Sequence, residues 1–162
     1  MYGDASRIES AYTPKSGTPM TGLKGATITD VGIMAESLRV LLVEDSKVLT
    51  ERLTEAIRQI SDVELVGTAD TEAAALAAVK RESVDVIILD LHLKQGTGFG
   101  VMRALATNQL KPRIIVLTNY DLPEYKNAAI ALGATHFLDK ARDYGRLPEV
   151  LHEICEAHLS KH

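Results

Sequence analysis

From Leu38 onward, five short aliphatic runs alternate with longer amphipathic segments. Most of these runs are almost continuously apolar, which is typical of strands that helices cover on both faces. Strands separated by helix-length segments need crossover connections, so the pattern predicts an α/β fold with a doubly wound, five-stranded parallel sheet. The predicted strands are LRVLLV (38–43), VELVGTA (63–69), VDVIILD (84–90), RIIVLT (113–118) and THFL (135–138).

The segments between the strands repeat apolar residues at helical spacing, which predicts one buried stripe on each helix. The last stripe is the clearest and contains Cys155, which is therefore predicted to be a small buried hydrophobe rather than a reactive thiol. The best-defined stripes are Leu49, Leu53, Ala56, Ile57 and Ile60; Ala73, Leu76, Ala77 and Lys80; and Leu147, Val150, Leu151, Ile154, Cys155 and His158.

Residues 1–36 differ in composition from the remainder of the chain. They hold 5 of the 11 glycines and 2 of the 5 prolines, and they sustain no strand or helix period. Such a segment cannot bury enough apolar surface to offset its ordering entropy, so we expect a flexible tail at 1–36 and one domain at 37–160. A short docked helix containing Ile28, Val31, Ile33 and Met34 is the alternative.

The net charge, the hydropathy and the cysteine content exclude some classes of partner and some cellular locations. Eighteen basic and 22 acidic side chains give a net charge of −4, which argues against direct binding of nucleic acid. No apolar run approaches the roughly 20 residues needed to span a bilayer, and the amino terminus lacks the order of a signal peptide. One cysteine permits no internal disulfide. We therefore expect a cytoplasmic protein that does not bind membranes.

Polar side chains stand where four of the five predicted strands end. Glu44 and Asp45 follow the first strand, Asp90 ends the third, Thr118 ends the fourth, and Lys140 comes shortly after the fifth. Ligand sites of parallel sheets collect at the carboxyl ends of their strands, so these residues together predict a site. Taken singly, each has a simpler interpretation as a helix cap, a turn residue or a solvated charge.

Three carboxylates at one edge of a sheet repel one another. Each close pair costs roughly 4 kcal/mol at 4 Å and an effective dielectric of 20, and Lys140 alone cannot neutralise all three. Oxygen ligands without histidine or cysteine favour Mg²⁺, which retains room for phosphate oxygens. The residues therefore predict phosphoryl transfer, with one aspartate as nucleophile and with metal and lysine offsetting the charge.

In this order and at this spacing, the residues from about Leu38 to Leu159 resemble the receiver domain of two-component response regulators. The phrases VLLVEDS and ALGATHFLDK strengthen the resemblance. It implies a flavodoxin-like, CheY-like (βα)₅ fold with strand order 2-1-3-4-5. It also implies a cytoplasmic signalling protein that is a monomer or a weak homodimer.

The resemblance assigns roles to individual positions. Asp90 would accept a phosphoryl group from a histidine kinase or a histidine phosphotransfer protein. Asp45 would bind Mg²⁺ directly, Glu44 would hold it through water, and Asp90 and the main-chain carbonyl of His92 would complete the protein ligands. These are expectations carried over from the family.

The resemblance further implies a conformational switch. Lys140 would pair with the acceptor and then with the phosphoryl oxygens, and Thr118 would swing to donate a hydrogen bond to them. Phe137 would then turn inward and change the surface of the fourth helix, the fifth strand and the fifth helix. A downstream protein would read that surface, or the phosphoryl group would pass onward in a relay.

The sequence also departs from the usual family pattern. Ala141 stands where a proline joined by a cis bond is usual, and Asn119 stands where a smaller residue is usual. The loop LKQGTGFG lacks a dinucleotide fingerprint and is predicted to be a flexible connector. His92 and Tyr120 follow Asp90 and Thr118 by two residues, and their rings are predicted to prolong the phosphorylated state by covering the path of water.

Three functions compete at this point. The first is a phosphorylation-controlled module without its own output domain, which is no enzyme beyond its self-phosphorylation and autodephosphorylation. The second is a receiver fold that is used only for binding and is not phosphorylated. The third is a phosphohydrolase with Asp90 as nucleophile, although such enzymes need an acid two residues later, where this chain has His92.

Overall fold

The computed structural model describes residues 26–28 and 34–160, with side chains from Glu36 onward. Its main sheet has five parallel strands in the order β2-β1-β3-β4-β5, which confirms the predicted fold class and strand order. The third strand is shorter than the predicted run at 84–90. The strands are β1 (Leu38–Val43), β2 (Val63–Ala69), β3 (Val86–Leu89), β4 (Arg113–Thr118) and β5 (His136–Asp139).

One helix follows each strand, and side-chain caps fix where three of the helices begin. The side chains of Ser46, Thr71 and Thr97 each accept a backbone amide three residues ahead, which satisfies one of the free amides of the first turn. A short 3₁₀ helix, Tyr144–Arg146, precedes the last helix. The helices are α1 (Lys47–Arg58), α2 (Glu72–Arg81), α3 (Gly98–Thr107), α4 (Pro123–Ala131) and α5 (Leu147–Leu159).

Buried side chains form one apolar core on each face of the sheet. Alternate residues of β1 point to opposite faces, so Leu42 packs with α1 and α5 while Leu41 packs with α2 and α3. The predicted stripe of α5 is confirmed, and Cys155 is buried there, where desolvation raises the pKa of its thiol. Within the described residues, none of the helices has both the length and the apolar character needed to cross a lipid bilayer.

The predicted core stripe of α2 is wrong at three of its four positions. Leu76 is partly buried against the core as predicted, but Ala73, Ala77 and Lys80 are exposed, and the buried positions are Ala75, Ala78 and Val79. Six of the ten residues of this helix are alanine or valine, so its apolar residues surround the axis and their spacing does not single out one face. Packing against the sheet decides which face is buried.

Two short strands precede the main sheet. Residues Ala26–Ile28 pair antiparallel with Met34–Glu36. Ile28 and Met34 are therefore extended, in contrast to the alternative of a docked helix. The rest of the predicted tail, residues 1–25 and 29–33, lies outside the described residues.

The amino-terminal end of the sheet carries a buried cation. The side chain of Arg39 in β1 is 7% exposed and forms ion pairs with Glu64 at 3.1 Å and Glu82 at 3.0 Å. Its Nε donates to the carbonyl of Ser83 at 2.6 Å, and its backbone amide donates to Asp85 Oδ2 at 2.8 Å. These contacts join β1, β2 and the loop before β3 at the end of the sheet opposite the predicted site.

Candidate functional site

The three predicted carboxylates meet at the carboxyl end of the sheet, where β1 and β3 are neighbours. The backbone continues their pairing beyond the strands, because Asp90 N donates to the carbonyl of Val43 at 3.0 Å. Glu44, Asp45 and Asp90 each offer a carboxylate oxygen within 4.8 Å of the other two. Glu44 and Asp90 are buried and Asp45 is exposed. The site therefore has a buried floor and one carboxylate open to solvent.

Lys140 binds both buried carboxylates. Its Nζ lies 2.5 Å from Glu44 Oε1 and 2.7 Å from Asp90 Oδ2. Burial lowers the pKa of this ammonium, but the hydrogen bonds and charges of Asp90 and Glu44 outweigh that effect and hold the pKa above its ordinary value. The Lys140 side chain therefore stays protonated and positively charged.

Glu44 lies in the least exposed part of the site. Burial raises the pKa of its carboxyl group, against the opposing hydrogen bonds from Lys140 and the backbone of Ser46. One oxygen contacts Lys140 and the other accepts the Ser46 amide at 3.0 Å. Both oxygens of Glu44 thus have protein partners, so Asp45 is the carboxylate of the first strand that is freer to bind a metal directly.

The composition of the cluster fits Mg²⁺. Three carboxylates and one ammonium leave two uncompensated negative charges within a few ångströms. A hard divalent cation removes this repulsion, and the donor atoms are all oxygen, as Mg²⁺ prefers. The residues present therefore suit this ion in both charge and chemistry.

The loop after β3 is tied to its surroundings and is not the flexible connector predicted from its glycines. The amide of His92 donates to Asp90 Oδ1 at 3.3 Å, which places the backbone of His92 beside this carboxylate. Lys94 N donates to the carbonyl of Asp70 at 3.0 Å. A Cβ atom at Gly98 would lie 2.4 Å from the carbonyl oxygen of Asp90, so only glycine allows this close approach.

Thr118 is fully buried at the end of β4. Its Oγ1 accepts the amide of Tyr120 at 3.2 Å, and its carbonyl accepts the amide of Lys140 at 2.9 Å. The hydroxyl therefore contacts the loop between β4 and α4. Thr118 itself ends β4, which is the neighbour of β3, the strand that Asp90 follows.

Phe137 does not join the carboxylate cluster. It is partly buried on β5 and packs against the core on the face covered by α2, α3 and α4. The structure thus brings Glu44, Asp45, Asp90 and Lys140 together. Phe137, on β5, lies outside this cluster.

Aromatic rings form a small cluster that includes His92, in the loop after β3. The rings of His92 and Tyr120 are 5.8 Å apart, and Tyr125 lies 6.1 Å from Tyr120 and 5.9 Å from Phe99. These four residues, with Leu91 and Thr97, line a groove of about 270 Å³. Phe99 and Tyr125 are not among the site residues predicted from the sequence. The scarcity of aromatic residues was an available signal, since this groove holds three of the seven phenylalanines and tyrosines.

The loop after Lys140 differs from the proline-containing loop that is usual in the family. Within residues 34–160 no peptide bond is cis, including the bond before Ala141. Asp139 Oδ1 accepts the amides of Ala141 at 2.8 Å and Arg142 at 2.9 Å, and Arg142 forms an ion pair with Asp121. Side-chain hydrogen bonds thus order this loop.

The chain is similar to known regulatory proteins. A family model described as the response regulator receiver domain matches residues 40–152. The transcriptional regulatory protein CitB of Klebsiella pneumoniae is 31% identical over 120 residues, which cover 74% of this chain and 51% of CitB. The photosynthetic apparatus regulatory protein RegA of Rhodobacter capsulatus is 32% identical over 111 residues, covering 68% of this chain and 59% of RegA.

A solved structure shows the same similarity in three dimensions. The signal receiver domain of the response regulator NarL from Mycobacterium tuberculosis superposes with a TM-score of 0.69 at 27% identity, covering 75% of this chain and 98% of that chain. The chain spans about half the length of curated relatives such as CitB. The span of the family model contains every member of the carboxylate–lysine cluster. Because fold, site and similarity agree over this span, the chain belongs to the response regulator receiver domains of two-component signal transduction.

Proposed function

We propose that Asp90 accepts a phosphoryl group in a Mg²⁺-dependent reaction, from a histidine kinase or a histidine phosphotransfer protein. One observation carries this proposal: Asp90 is a buried carboxylate that contacts the Lys140 ammonium at 2.7 Å and lies within 4.8 Å of two further carboxylates. A buried cation beside one aspartate in an anionic cluster is suited to stabilising added phosphoryl oxygens.

The proposed step is a simple exchange at phosphorus. A lone pair of the Asp90 carboxylate forms the new oxygen–phosphorus bond while the bond from phosphorus to the donor imidazole breaks. The imidazole leaves with the bonding electrons and takes up a proton from solvent. Lys140, already bound to Asp90, remains in contact with the new anionic group and offsets its charge.

Asp45, Asp90 and the main-chain carbonyl of His92 would hold Mg²⁺, with Glu44 acting through water. When bound, this ion offsets the charge that develops on the phosphoryl oxygens. The exposure of Asp45 and the contact between the His92 amide and Asp90 support this assignment.

The proposed output is a change at the face formed by α4, β5 and α5. Thr118 donates its hydroxyl proton in a hydrogen bond to the phosphoryl group while its oxygen still accepts the Tyr120 amide, which draws the following loop toward Asp90. Phe137 packs on the core side of α4 and follows this movement. Ile130, a large apolar residue on α4 that is 53% exposed, is available to a downstream protein.

We propose that the chain is a cytoplasmic signalling domain, with residues 37–160 as the receiver, and that it works as a monomer or a weak homodimer. It binds no nucleic acid itself and catalyses only its own phosphorylation and dephosphorylation. The net charge of −4 supports the first of these two statements. The second rests on His92, which replaces the acid that a turnover phosphohydrolase needs two residues after its nucleophile.

The test is phosphorylation of the full chain by a small phosphodonor. We expect incubation with Mg²⁺ and acetyl phosphate to add one phosphoryl group, about 80 Da by intact mass, and a chelator to prevent it. Peptide mapping after borohydride reduction locates the modified residue, which we expect to be Asp90. Failure to form an adduct would favour the unphosphorylated binding module, and steady hydrolysis of small phosphate esters would favour the phosphohydrolase.

Mg²⁺ is expected to stabilise the fold through the same carboxylates. A ligand that binds only the folded state at about one hundred times its Kd raises the free energy of unfolding by about 2.7 kcal/mol. The Asp45→Asn variant, which lacks the exposed carboxylate, should lose most of this gain in urea titrations with and without Mg²⁺. Sodium chloride at equal ionic strength is the control, and an equal Mg²⁺ effect in wild type and Asp45→Asn would contradict the assignment.

His92 and Tyr120 are expected to slow hydrolysis of the acyl phosphate. These residues follow Asp90 and Thr118 by two positions and their rings lie 5.8 Å apart, so we expect them to restrict the approach of water to Asp90. Replacing both with alanine should speed dephosphorylation by about tenfold, equivalent to about 1.4 kcal/mol of activation free energy. The exposed His152 on α5 provides a control, since His152→Ala should leave the decay of the adduct unchanged. An unchanged rate in the double variant would exclude this role.

A further inference from the structure

Glu72, the first residue of α2, lies outside the carboxylate cluster but reaches the loop that follows the acceptor. Its Oε2 accepts the amide of Thr97 at 3.2 Å, and its own amide donates to the carbonyl of Gln95 at 3.0 Å. The side chain therefore fastens the far end of the loop between β3 and α3.

Further contacts connect this end of the loop to Asp90, the proposed phosphoryl acceptor. Thr97 lies opposite His92 in an antiparallel bridge whose hydrogen bond runs from the amide of Gly98 to the carbonyl of Leu91 at 3.0 Å, and the amide of His92 donates to Asp90 Oδ1 at 3.3 Å. Three hydrogen bonds, linked by adjacent residues of the loop backbone, therefore connect the carboxylate of Glu72 to that of Asp90.

The loop and the next helix also leave space that Glu72 fills. A Cβ atom at Gly96 would lie 2.5 Å from Glu72 Cβ, and a Cβ atom at Gly100 would lie 2.3 Å from Glu72 Oε2. The side chain is thus seated against two glycines spaced four residues apart. Larger residues at either position would displace it.

We propose that Glu72 is a positioning residue for the magnesium and phosphoryl site. By holding Thr97, it fixes the backbone of His92, and with it both the contact to Asp90 and the carbonyl assigned to the metal. This inference rests on the proposed function. An acid in the first turn of a helix ordinarily stabilises the helix through the interaction of its charge with the helix dipole. This electrostatic role and the proposed positioning role respond differently to substitution. Glutamine loses the charge but keeps an oxygen that can accept the Thr97 amide.

The experiment is calorimetric titration of Mg²⁺ into the full chain and its variants. We expect Glu72→Ala to raise the Kd for Mg²⁺ about tenfold, as outer residues that orient metal ligands commonly do, and Glu72→Gln to bind nearly as the wild type does. Glu149, an exposed acid in the first turn of α5, is the matched control, and Glu149→Ala should not change the Kd. Wild-type affinity in Glu72→Ala, or equal losses in the alanine and glutamine variants, would overturn the inference.

Gly100→Ala tests the same contact without removing Glu72. Alanine favours a helix more than glycine does, and its Cβ would push aside only the flexible end of the Glu72 side chain. We expect this variant to remain folded and to lose Mg²⁺ affinity as Glu72→Ala does, with no further loss in the double variant. Wild-type affinity in Gly100→Ala would contradict the inference.

A measurement on metal-free protein separates the inference from the proposed function. Amide hydrogen exchange at His92 and Thr97 should be faster in Glu72→Ala and Gly100→Ala than in the wild type and in Glu149→Ala. Unchanged exchange would overturn the positioning role. Wild type that fails to bind Mg²⁺ would overturn the proposed function and the inference with it, whereas wild-type binding that Glu72→Ala leaves unaltered would overturn the inference alone.

Discussion

Asp90→Asn is expected to abolish phosphoryl uptake from acetyl phosphate while the domain remains folded. Asparagine has the shape of aspartate, and its oxygen can still accept from His92 N or Lys140 Nζ, but the amide is a poor nucleophile. Intact mass after incubation with Mg²⁺ and acetyl phosphate measures the loss, and circular dichroism checks the fold.

Asp70→Asn is the matched control for this variant. Asp70 is exposed at the same edge of the sheet, directly after β2, but does not belong to the carboxylate cluster. We expect it to be phosphorylated as the wild type is. An adduct of wild-type extent on Asp90→Asn, or loss of the adduct from Asp70→Asn alone, would contradict the assignment of the acceptor.

Arg39→Met is expected to lower the free energy of unfolding by about 3 kcal/mol without affecting phosphoryl uptake. Removing one member of a buried ion pair leaves the other charges uncompensated and costs about 3–5 kcal/mol. The lower end of this range applies because Glu64 is 47% exposed and Glu82 is 25% exposed, so water solvates both in part. Urea denaturation with linear extrapolation measures the change.

Arg81 offers a control that shares a partner with Arg39. It is 67% exposed and lies 3.8 Å from Glu82, so Arg81→Met should change the free energy of unfolding by no more than about 1 kcal/mol. Adding Glu82→Gln to Arg39→Met should recover part of the loss, because one unpaired charge is removed. Equal losses of unfolding free energy in Arg39→Met and Arg81→Met would contradict this prediction. They would show that the burial of Arg39 does not determine how much its ion pairs stabilise the domain.

The sheet was predictable because its strands carry strong local signals. Continuous aliphatic runs such as VIIL in β3 specify strands buried on both faces, and the topology of parallel sheets then places Asp45, Asp90 and Lys140 at one edge. The predicted stripe of α2 was wrong for a related reason. Where alanine occupies half of the positions, the sequence pattern is nearly uniform around the helix, and only tertiary packing distinguishes its faces.

The contacts that hold the loop after β3 could not be predicted from sequence. Glycines favour both flexible loops and close packing, and the sequence LKQGTGFG alone predicts the former. In the structure, Gly98 allows contact with the carbonyl of Asp90, and Glu72 binds the amide of Thr97 from 25 residues away along the chain. Such contacts depend on which helix the fold places beside the loop.

Strand β1 places opposite charges at its two ends, with the buried cation of Arg39 near its start and the buried anion of Glu44 just beyond its finish. Five residues of extended chain separate them by about 17 Å. Each charge is paired at its own end of the strand, Arg39 with Glu64 and Glu82 and Glu44 with Lys140, so the contacts that anchor the sheet and those of the site use separate partners. Substitutions can change the reactivity of the site after β1 while the contacts at the start of β1 continue to stabilise the domain.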